Sequence, residues 1–318
     1  MLLRWPKLPF GFEKREMSRG TYLTHRLGPK GVGLKSSRCL PTQPARSRLK
    51  VYSQGFQGRQ EKDTRSNPKV VFHNADLYPP HFDRLSAVSW VETDSPTTTA
   101  NKLIPRAQDY WLERAAWVVM SQWPGGRWIR EHIIDPLIYM RDVPVHSRNY
   151  EASYDVAELE PMDRKRSTYV LQEYFIPVGR LEEWLPRMKR VFNDFDVNVI
   201  NISIRHALGD PGAKLAWARG ESFAFVVYYK QDTNADEQAR VATWTRAMID
   251  EVLSVGGSYY LPYQPHATDD QFHRAYPGAT EYFEIKQHYD PDNKFTNKLW
   301  DRYYSPERLK SYRAKQAA

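Results

Sequence analysis

The order of apolar segments between residues 167 and 260 constrains the fold of this chain more than any other feature. Three segments have the length and apolar content of β-strands: 167–176, 196–205 and 221–230. Two others carry apolar residues at helical spacing: 180–194 and 234–254. With the short segment after Gly257, the order is strand, helix, strand, strand, helix, strand. This order, with short connections, predicts an α+β fold in which an antiparallel sheet has helices packed on one face.

The same spacing predicts which side chains are buried. Segment 196–205 alternates between polar and apolar residues, with a phase slip near Ile200. Segment 221–230 is mostly apolar, as is typical of a central strand. The helix over 180–194 is expected to bury Leu181, Trp184, Leu185, Met188, Val191 and Phe192.

Composition divides the chain into four parts. Residues 1–69 show no sustained periodicity and predict a disordered basic extension. Residues 70–166 predict a helical or irregular connecting region, 167–304 the α+β domain, and 305–318 a C-terminal helix. The connecting region contains predicted helices at 105–121 and 127–140. The first of these helices has an apolar side formed by Trp111, Leu112, Ala115, Ala116 and Val119.

The net charge of +8 originates in the N-terminal extension. Residues 1–69 hold 16 Lys and Arg against 4 Asp and Glu, and residues 70–318 hold 30 against 34. The body of the chain is therefore mildly acidic, so we expect no nucleic-acid surface there. Three interpretations of the extension stay open: a transit-type leader, an RNA- or lipid-binding arm, or sequence that is not native to the fold. We favour the third.

Cys39 is the single cysteine, which excludes a disulfide framework and a thiolate zinc site. It indicates a reducing compartment, with a disulfide-free secreted protein as the alternative that stays open, and we expect a cytoplasmic protein. No apolar run approaches the roughly 20 residues that a transmembrane helix needs. Peripheral membrane contact stays open, and the scattered histidines predict no metal site.

Polar side chains recur along one side of the predicted strand 196–205. Asn201, Ser203 and Arg205 share a face because side chains alternate along a strand, with Ile202 and Ile204 on the other face. This pattern describes either a strand that lines a polar cleft or a strand with a solvent-exposed face. Arg205 suits the first interpretation, since a guanidinium is always charged and stabilises developing negative charge.

A second group of candidates follows the glycine pair Gly256-Gly257. Tyr259 and Tyr260 precede Tyr263, Gln264 and His266, and aromatic walls with a few polar tips are typical of small-molecule pockets. The alternative is a loop whose tyrosines pack on the core. From the spacing alone, both interpretations stay open.

The stretch after Ala275 resembles the C-terminal signature of FAD-linked oxidases of the vanillyl-alcohol-oxidase-like superfamily. That superfamily includes aldonolactone oxidases, such as arabinonolactone oxidase, alditol oxidases and sterol reductases. The matching residues are Ala275-Tyr276-Pro277, Tyr282-Phe283 with Lys286, Tyr289-Asp290-Pro291, Phe295 and Asn297. The strand ending at Arg205 is similar to one that these enzymes place against the flavin. The resemblance spans about residues 70–304 and is diffuse before Ser167.

The resemblance implies an α+β cap domain that covers FAD and shapes a substrate site. It implies hydride transfer from a CH–OH donor to the flavin, in which the cofactor carries the redox chemistry. Arg205 and Tyr263 would be catalytic, and Asn297 with Arg205 would contact the cofactor. The remaining site residues would bind a small-molecule substrate: Asn201, Ser203, Gln264 and His266.

The chain departs from the pattern of the sugar oxidases. Ser203 stands where those enzymes have Glu, and their catalytic Lys has no counterpart in the loop after Gly257. No glycine-rich FAD-binding domain is present, so we expect the cap half of a flavoenzyme, incomplete alone, with a separate FAD-binding domain as a partner. Two alternatives are a non-enzymatic small-molecule or partner-binding domain derived from the cap, and an adaptor that uses its basic arm.

Overall fold

The computed structural model describes residues 31–37, 70–93, 96–98, 100, 101, 103–105, 108–135, 145–153, 160, 161 and 163–304. The predicted C-terminal helix at 305–318, most of the extension 1–69 and residues 136–140 of the second predicted helix lie outside this part of the chain. Among the described residues, no helix combines the length and apolar character needed to cross a lipid bilayer.

Within these described residues, eight strands form one sheet in which every neighbouring pair is antiparallel, in the order β4-β1-β3-β2-β6-β7-β5-β8. The strands are β1 Gly31–Ser37, β2 Val70–Leu77, β3 Leu85–Thr93, β4 Val145–His146, β5 Ser167–Pro177, β6 Val199–Ala207, β7 Ser222–Asp232 and β8 Ser258–Tyr259. The α+β prediction is confirmed. β7 lies between β6 and β5, as expected for its apolar sequence.

Helices follow the strands closely. They are α1 Trp111–Gln122, α2 Gly126–Ile129, α3 Arg148–Glu151, α4 Leu181–Asp194, α5 Ala235–Ser254, α6 Asp269–Ala275, α7 Ala279–Tyr289 and α8 Lys298–Tyr303. A π-helical turn at Arg130–Ile134 continues α2. The order β5-α4-β6-β7-α5-β8 is the predicted strand and helix order, with boundaries within three residues of the expectation.

Helices α4 and α5 pack on one face of the sheet, which we call the helical face and define by Ile202, Ile204, Phe225 and Tyr229. The six predicted inward residues of α4 are all buried. Trp244 of α5 contacts Tyr229 edge-on, with ring centroids 5.0 Å apart. This apolar layer is the main core, because burial of large aromatic and aliphatic surfaces drives folding.

The phase slip predicted near Ile200 is a break in the β6–β7 register between Val199 and Asn201. Such an irregularity reverses the alternation of a strand. It allows Val199 and Ile202 to share the helical face, while Ile200 packs on the opposite side with Met120 and Tyr228.

The region before Ser167 differs from expectation. β2 and β3, within 70–166, join the sheet through β6, and Gly31–Ser37 form β1 rather than a disordered extension. The sequence of β2 does not look like a strand because it contains His73, Asn74 and Asp76, and Asn and Asp are depleted in strands. The apolar side predicted for the first helix is wrong at Trp111 and Leu112, which are 57% and 61% exposed, whereas Ala116 packs with Met120 against the sheet.

Gly256 and Gly257 make the turn from α5 into β8. Gly256 has a φ of 76°, in the left-handed region that favours glycine. A Cβ on Gly257 would lie 2.5 Å from the carbonyl oxygen of Phe175. The glycine pair therefore allows β8 to approach β5 closely.

We expect Gly257→Ala to destabilise the fold by about 1–3 kcal/mol, because the added methyl group meets backbone that cannot move without disturbing β5. Gly179→Ala is the matched control, since a Cβ there meets nothing within 4 Å. Urea unfolding followed by tryptophan fluorescence measures both variants. Equal midpoints for the two variants would contradict this account of the turn.

Candidate functional site

The β6 candidates lie together on the sheet face opposite the helical face. Asn201, Ser203 and Arg205 pair across the sheet with Tyr228, Val226 and Ala224, whereas Ile202 and Ile204 are buried under the helices. We call this side the polar face and define it by Glu173, Asn201, Ser203 and Arg205. Arg205 is exposed, and Ser203 is half-buried opposite Asp76 of β2.

Glu173 of β5 joins Arg205 on the polar face. Its register partner on β7 is Val226, the residue that also pairs with Ser203. Burial raises the pKa of Glu173 to about 7, and the charge of Arg205 opposes part of this rise. A carboxyl group with a pKa near neutrality can exchange a proton under ordinary conditions.

Tyr263 lies close enough to Glu173 and Arg205 for their charges to affect it. Burial raises its pKa, the carboxylate and Tyr260 raise it further, and Arg205 lowers it. Its hydroxyl therefore stays protonated at neutral pH and can donate a hydrogen bond. The structure thus brings together the two residues predicted to be catalytic, with Glu173 beside them.

An aromatic wall borders this group. The Tyr260 ring contacts the Tyr263 ring edge-on, with centroids 5.3 Å apart. The ring centroids of Trp217 and Phe175 are 4.6 Å apart. Tyr260 also contacts both Phe175 and Trp217. The wall supplies apolar surface next to a carboxyl group and a guanidinium, the mixture typical of small-molecule sites.

Sequence reasoning missed Glu173. Its signal was a single charged residue in the otherwise apolar half of segment 167–176, between Leu171 and Phe175. Glu173 lies near Arg205 because β7 pairs with both β5 and β6. The spacing of residues in the sequence does not reveal these strand pairings. Glu173 thus places a carboxylate on the polar face from a strand other than β6.

Asn201 is engaged in a network that joins the two halves of the sheet. Its amide nitrogen donates to Asp76 at 3.1 Å, and its oxygen accepts from Arg130 at 3.0 Å. Arg130 is 8% exposed and also lies near Asp76 and Asp135, at 3.7 and 3.5 Å. Tyr78 donates to Asp135 at 2.6 Å. Asn201 thus has a structural partner for each end of its amide.

Gln264 and His266 line a cleft of about 470 Å³ together with Thr168 and Gln231. Thr168 of β5 pairs with Gln231 of β7, and Val170 pairs with Tyr229 in the same way. Residues two positions apart on a strand face the same side, so Thr168 and Gln231 lie on the helical face with Tyr229. The sheet therefore separates the predicted substrate residues into two groups, one on each face.

Asn297 caps α8 by accepting a hydrogen bond from the Trp300 amide at 2.9 Å. The preceding Asp290 accepts from the amides of Lys294 and Phe295 and pairs with Lys286. The Lys286 side chain and these hydrogen bonds lower the pKa of Asp290 to about 2. The Asp-Pro turn is thus held by its own side chains, which accounts for these residues without a ligand.

No protein-family model matches this chain, and no curated protein matches its sequence. A functional proposal for this chain therefore depends on the geometry of the polar face. No three potential metal ligands cluster within the part of the chain that the structure describes.

We expect the stability of the protein to fall as the pH rises from about 4.5 to about 7, because folding raises the pKa of Glu173 and the folded state binds the extra proton. Glu173→Gln should remove this loss, which corresponds to roughly 3 kcal/mol at most. Unfolding free energies of both proteins at pH 5 and pH 8 measure the effect. If the difference in unfolding free energy between the two proteins is the same at pH 5 and at pH 8, folding does not raise the pKa of Glu173.

We expect Arg130→Met to cost roughly 3–5 kcal/mol, because it leaves Asp76 and Asp135 beside a buried site without their cation. Arg190→Met is the control, since Arg190 is exposed and pairs with Glu251 at the surface, where such pairs contribute about 1 kcal/mol or less. Chemical unfolding distinguishes the two. Similar losses of unfolding free energy in the two variants would contradict the role of Arg130 in stabilising this network.

Proposed function

We propose that this chain is the cap and substrate part of an FAD-dependent oxidoreductase that acts on a CH–OH donor. The observation that carries the proposal is the placement of Glu173, Arg205 and Tyr263 on one sheet face beside an aromatic wall. A proton acceptor, a permanent cation and a hydroxyl donor are groups with which a protein can assist the oxidation of an alcohol. The resemblance of the C-terminal stretch to flavin oxidases supports the same reaction.

The residues present fit the ring system of a flavin. Arg205 offers an exposed positive charge, which suits the negative charge that a reduced isoalloxazine carries, and Tyr260 and Trp217 offer flat apolar surface nearby. The sequence contains no glycine-rich loop for the FAD pyrophosphate. A separate FAD-binding domain would hold that part of the cofactor. The single cysteine supports a cytoplasmic setting.

FAD, when bound, supplies the capacity to accept a hydride from the substrate carbon. The chain's own residues handle the proton and the charge. Glu173 takes the proton of the substrate hydroxyl, for which a pKa of about 7 is well matched. Arg205 and Tyr263 hold the substrate oxygen through charge and hydrogen bonding as the C–O bond gains double-bond character.

A second candidate function is a small-molecule-binding domain without flavin. The cleft at Gln264 and His266 favours it, because that cleft lies on the helical side of the sheet, apart from the polar face. Binding there needs neither Glu173 nor Arg205.

We expect the purified chain to quench the fluorescence of added FAD saturably, and to bind dithionite-reduced FAD more tightly than oxidised FAD, because Arg205 favours the anionic ring. Arg205→Ala should abolish most of this preference, a change of about ten-fold in the ratio of the two dissociation constants. Anaerobic fluorescence and absorbance titrations measure both constants.

Arg190→Ala serves as the control, since Arg190 lies on α4, across the sheet from the site. It should leave both dissociation constants unchanged. Absence of saturable quenching at millimolar FAD would contradict the proposal. If Arg205→Ala keeps the same preference for reduced over oxidised FAD, Arg205 does not contact the flavin.

A further inference from the structure

The exposed apolar side chains of this protein are concentrated around α1 and α2. Within the part of the chain that the structure describes, nine large apolar side chains are exposed, and six of them lie between residues 103 and 133. The six are Leu103, Trp111, Leu112, Trp123, Trp128 and Ile133. Exposed apolar residues that are scattered singly need no explanation, whereas a cluster of them on neighbouring helices marks an interaction surface.

Helix α1 is apolar on two sides, and the fold uses one of them. Ala116, Trp117 and Met120 pack on the sheet in a small cluster that includes Tyr228. The rings of Trp117 and Tyr228 meet edge-on, with centroids 5.3 Å apart. This side of α1 is held by the sheet, so it is not available to another molecule.

The other side of α1 carries a second apolar row that faces away from the sheet. Leu112, Ala115 and Val119 form this row, because residues three and four apart are neighbours on a helix. Trp123 continues it, since its amide still donates to the Val119 carbonyl at 3.1 Å. Trp111 lies beside Ala115, four residues earlier. Leu112 and Trp123, at the two ends of the row, are 61% and 65% exposed.

Helix α2 adds to this row at its C-terminal end. A Cβ on Gly126 would lie 2.1 Å from the Val119 carbonyl oxygen, so α2 begins in direct contact with the last turns of α1. Trp128 of α2 is 57% exposed, and Ile133 of the following turn is 43% exposed. We call the combined region the tryptophan surface and define it by Trp111, Leu112, Trp123, Trp128 and Ile133.

The tryptophan surface approaches the area that a stable protein partner covers. An aromatic side chain offers up to roughly 250 Å², so three tryptophans at these exposures leave about 400 Å² of ring surface uncovered. The aliphatic side chains enlarge it toward the roughly 800 Å² that each partner contributes to a standard interface. A monomer rarely leaves so large an apolar patch in contact with water.

The composition of this region favours a protein over an anionic membrane as the partner. Residues 111–134 contain no lysine, and residues 109–134 hold three Arg against three Asp and Glu. Helices that lie on a membrane surface carry an excess of Lys and Arg beside their apolar face. Tryptophan and arginine without lysine are instead typical of the centres of protein interfaces.

We propose that the tryptophan surface is the interface of a homodimer, in which α1 packs antiparallel to α1 of a second copy across a two-fold axis. Ala115 and Val119, in the middle of the row, are small enough to let two helices approach to the usual 8–10 Å or so. Asp109 precedes α1, and Arg127 follows its C-terminal end. An antiparallel pairing therefore brings the unlike charges of the two copies together, which a parallel pairing does not.

The proposed interface is separate from the candidate site. Ile200, on which α1 packs, lies five residues from Arg205 along β6, a distance of roughly 17 Å. Self-association uses neither Arg205 nor Glu173, and it needs no flavin. It does not depend on the proposed oxidoreductase function, and a negative result in the flavin titration leaves it unaffected.

The test is sedimentation velocity on the full chain between about 1 and 100 µM, without FAD. We expect a species of twice the single-chain mass of 37.3 kDa, with a fraction that rises with concentration. Leu112→Glu and Trp123→Ser should each raise the dimer dissociation constant about ten-fold or more, because each alters the apolar centre of the interface. Phe295→Ser is the matched control, since Phe295 is 60% exposed and lies outside the tryptophan surface.

A monomer throughout this range would overturn the proposal. If the monomer instead binds vesicles of phosphatidylserine and phosphatidylcholine, the surface is a lipid contact. A dimer that persists in both variants would place the interface elsewhere and equally overturn the proposal. Circular dichroism reports whether the variants fold, and Trp111→Ser replaces either one that does not.

Discussion

Burial of aromatic side chains between the sheet and helices α4 and α5 is the interaction on which the rest of the structure depends. Trp184 and Trp244 are fully buried there, against Phe225 and Tyr229 of β7. Burying each such side chain stabilises the fold by about 2–3 kcal/mol. Because side chains alternate along a strand, this burial also decides that Glu173, Ser203 and Arg205 face the other way. The candidate site is a direct consequence of the core.

A second constraint joins the early part of the chain to this core. Asp76 of β2 lies opposite Ser203 of β6, and Arg130 connects Asp76 to Asn201. A buried guanidinium needs several partners to offset its desolvation, and here they come from three separate segments. The network closes one end of the polar face and leaves Arg205 exposed at the other. At one end of the polar face the side chains are engaged in this network, and at the other end Arg205 is exposed to a ligand.

Much of the fold could be predicted from the sequence because local periodicity reports burial. The strands β5, β6 and β7 and the helices α4 and α5 have strong apolar patterns, and even the irregularity near Ile200 left a trace in the alternation. β2 could not be predicted in this way. Its polar residues His73, Asn74 and Asp76 are tolerated since pairing with β3 and β6 satisfies its backbone, and that pairing is a long-range event.

The sequence by itself determined the helical face, the shared orientation of Asn201, Ser203 and Arg205, and the glycine turn before β8, since each depends on residues close in the chain. Only the tertiary structure decided how these residues are grouped. It placed Glu173 beside Arg205 and Tyr263, bound Asn201 to Arg130, and moved Gln264 and His266 to a cleft on the other side. The physical reason is that β7 pairs with both β5 and β6. Neighbours in space are therefore set by strand pairing rather than by spacing in the sequence.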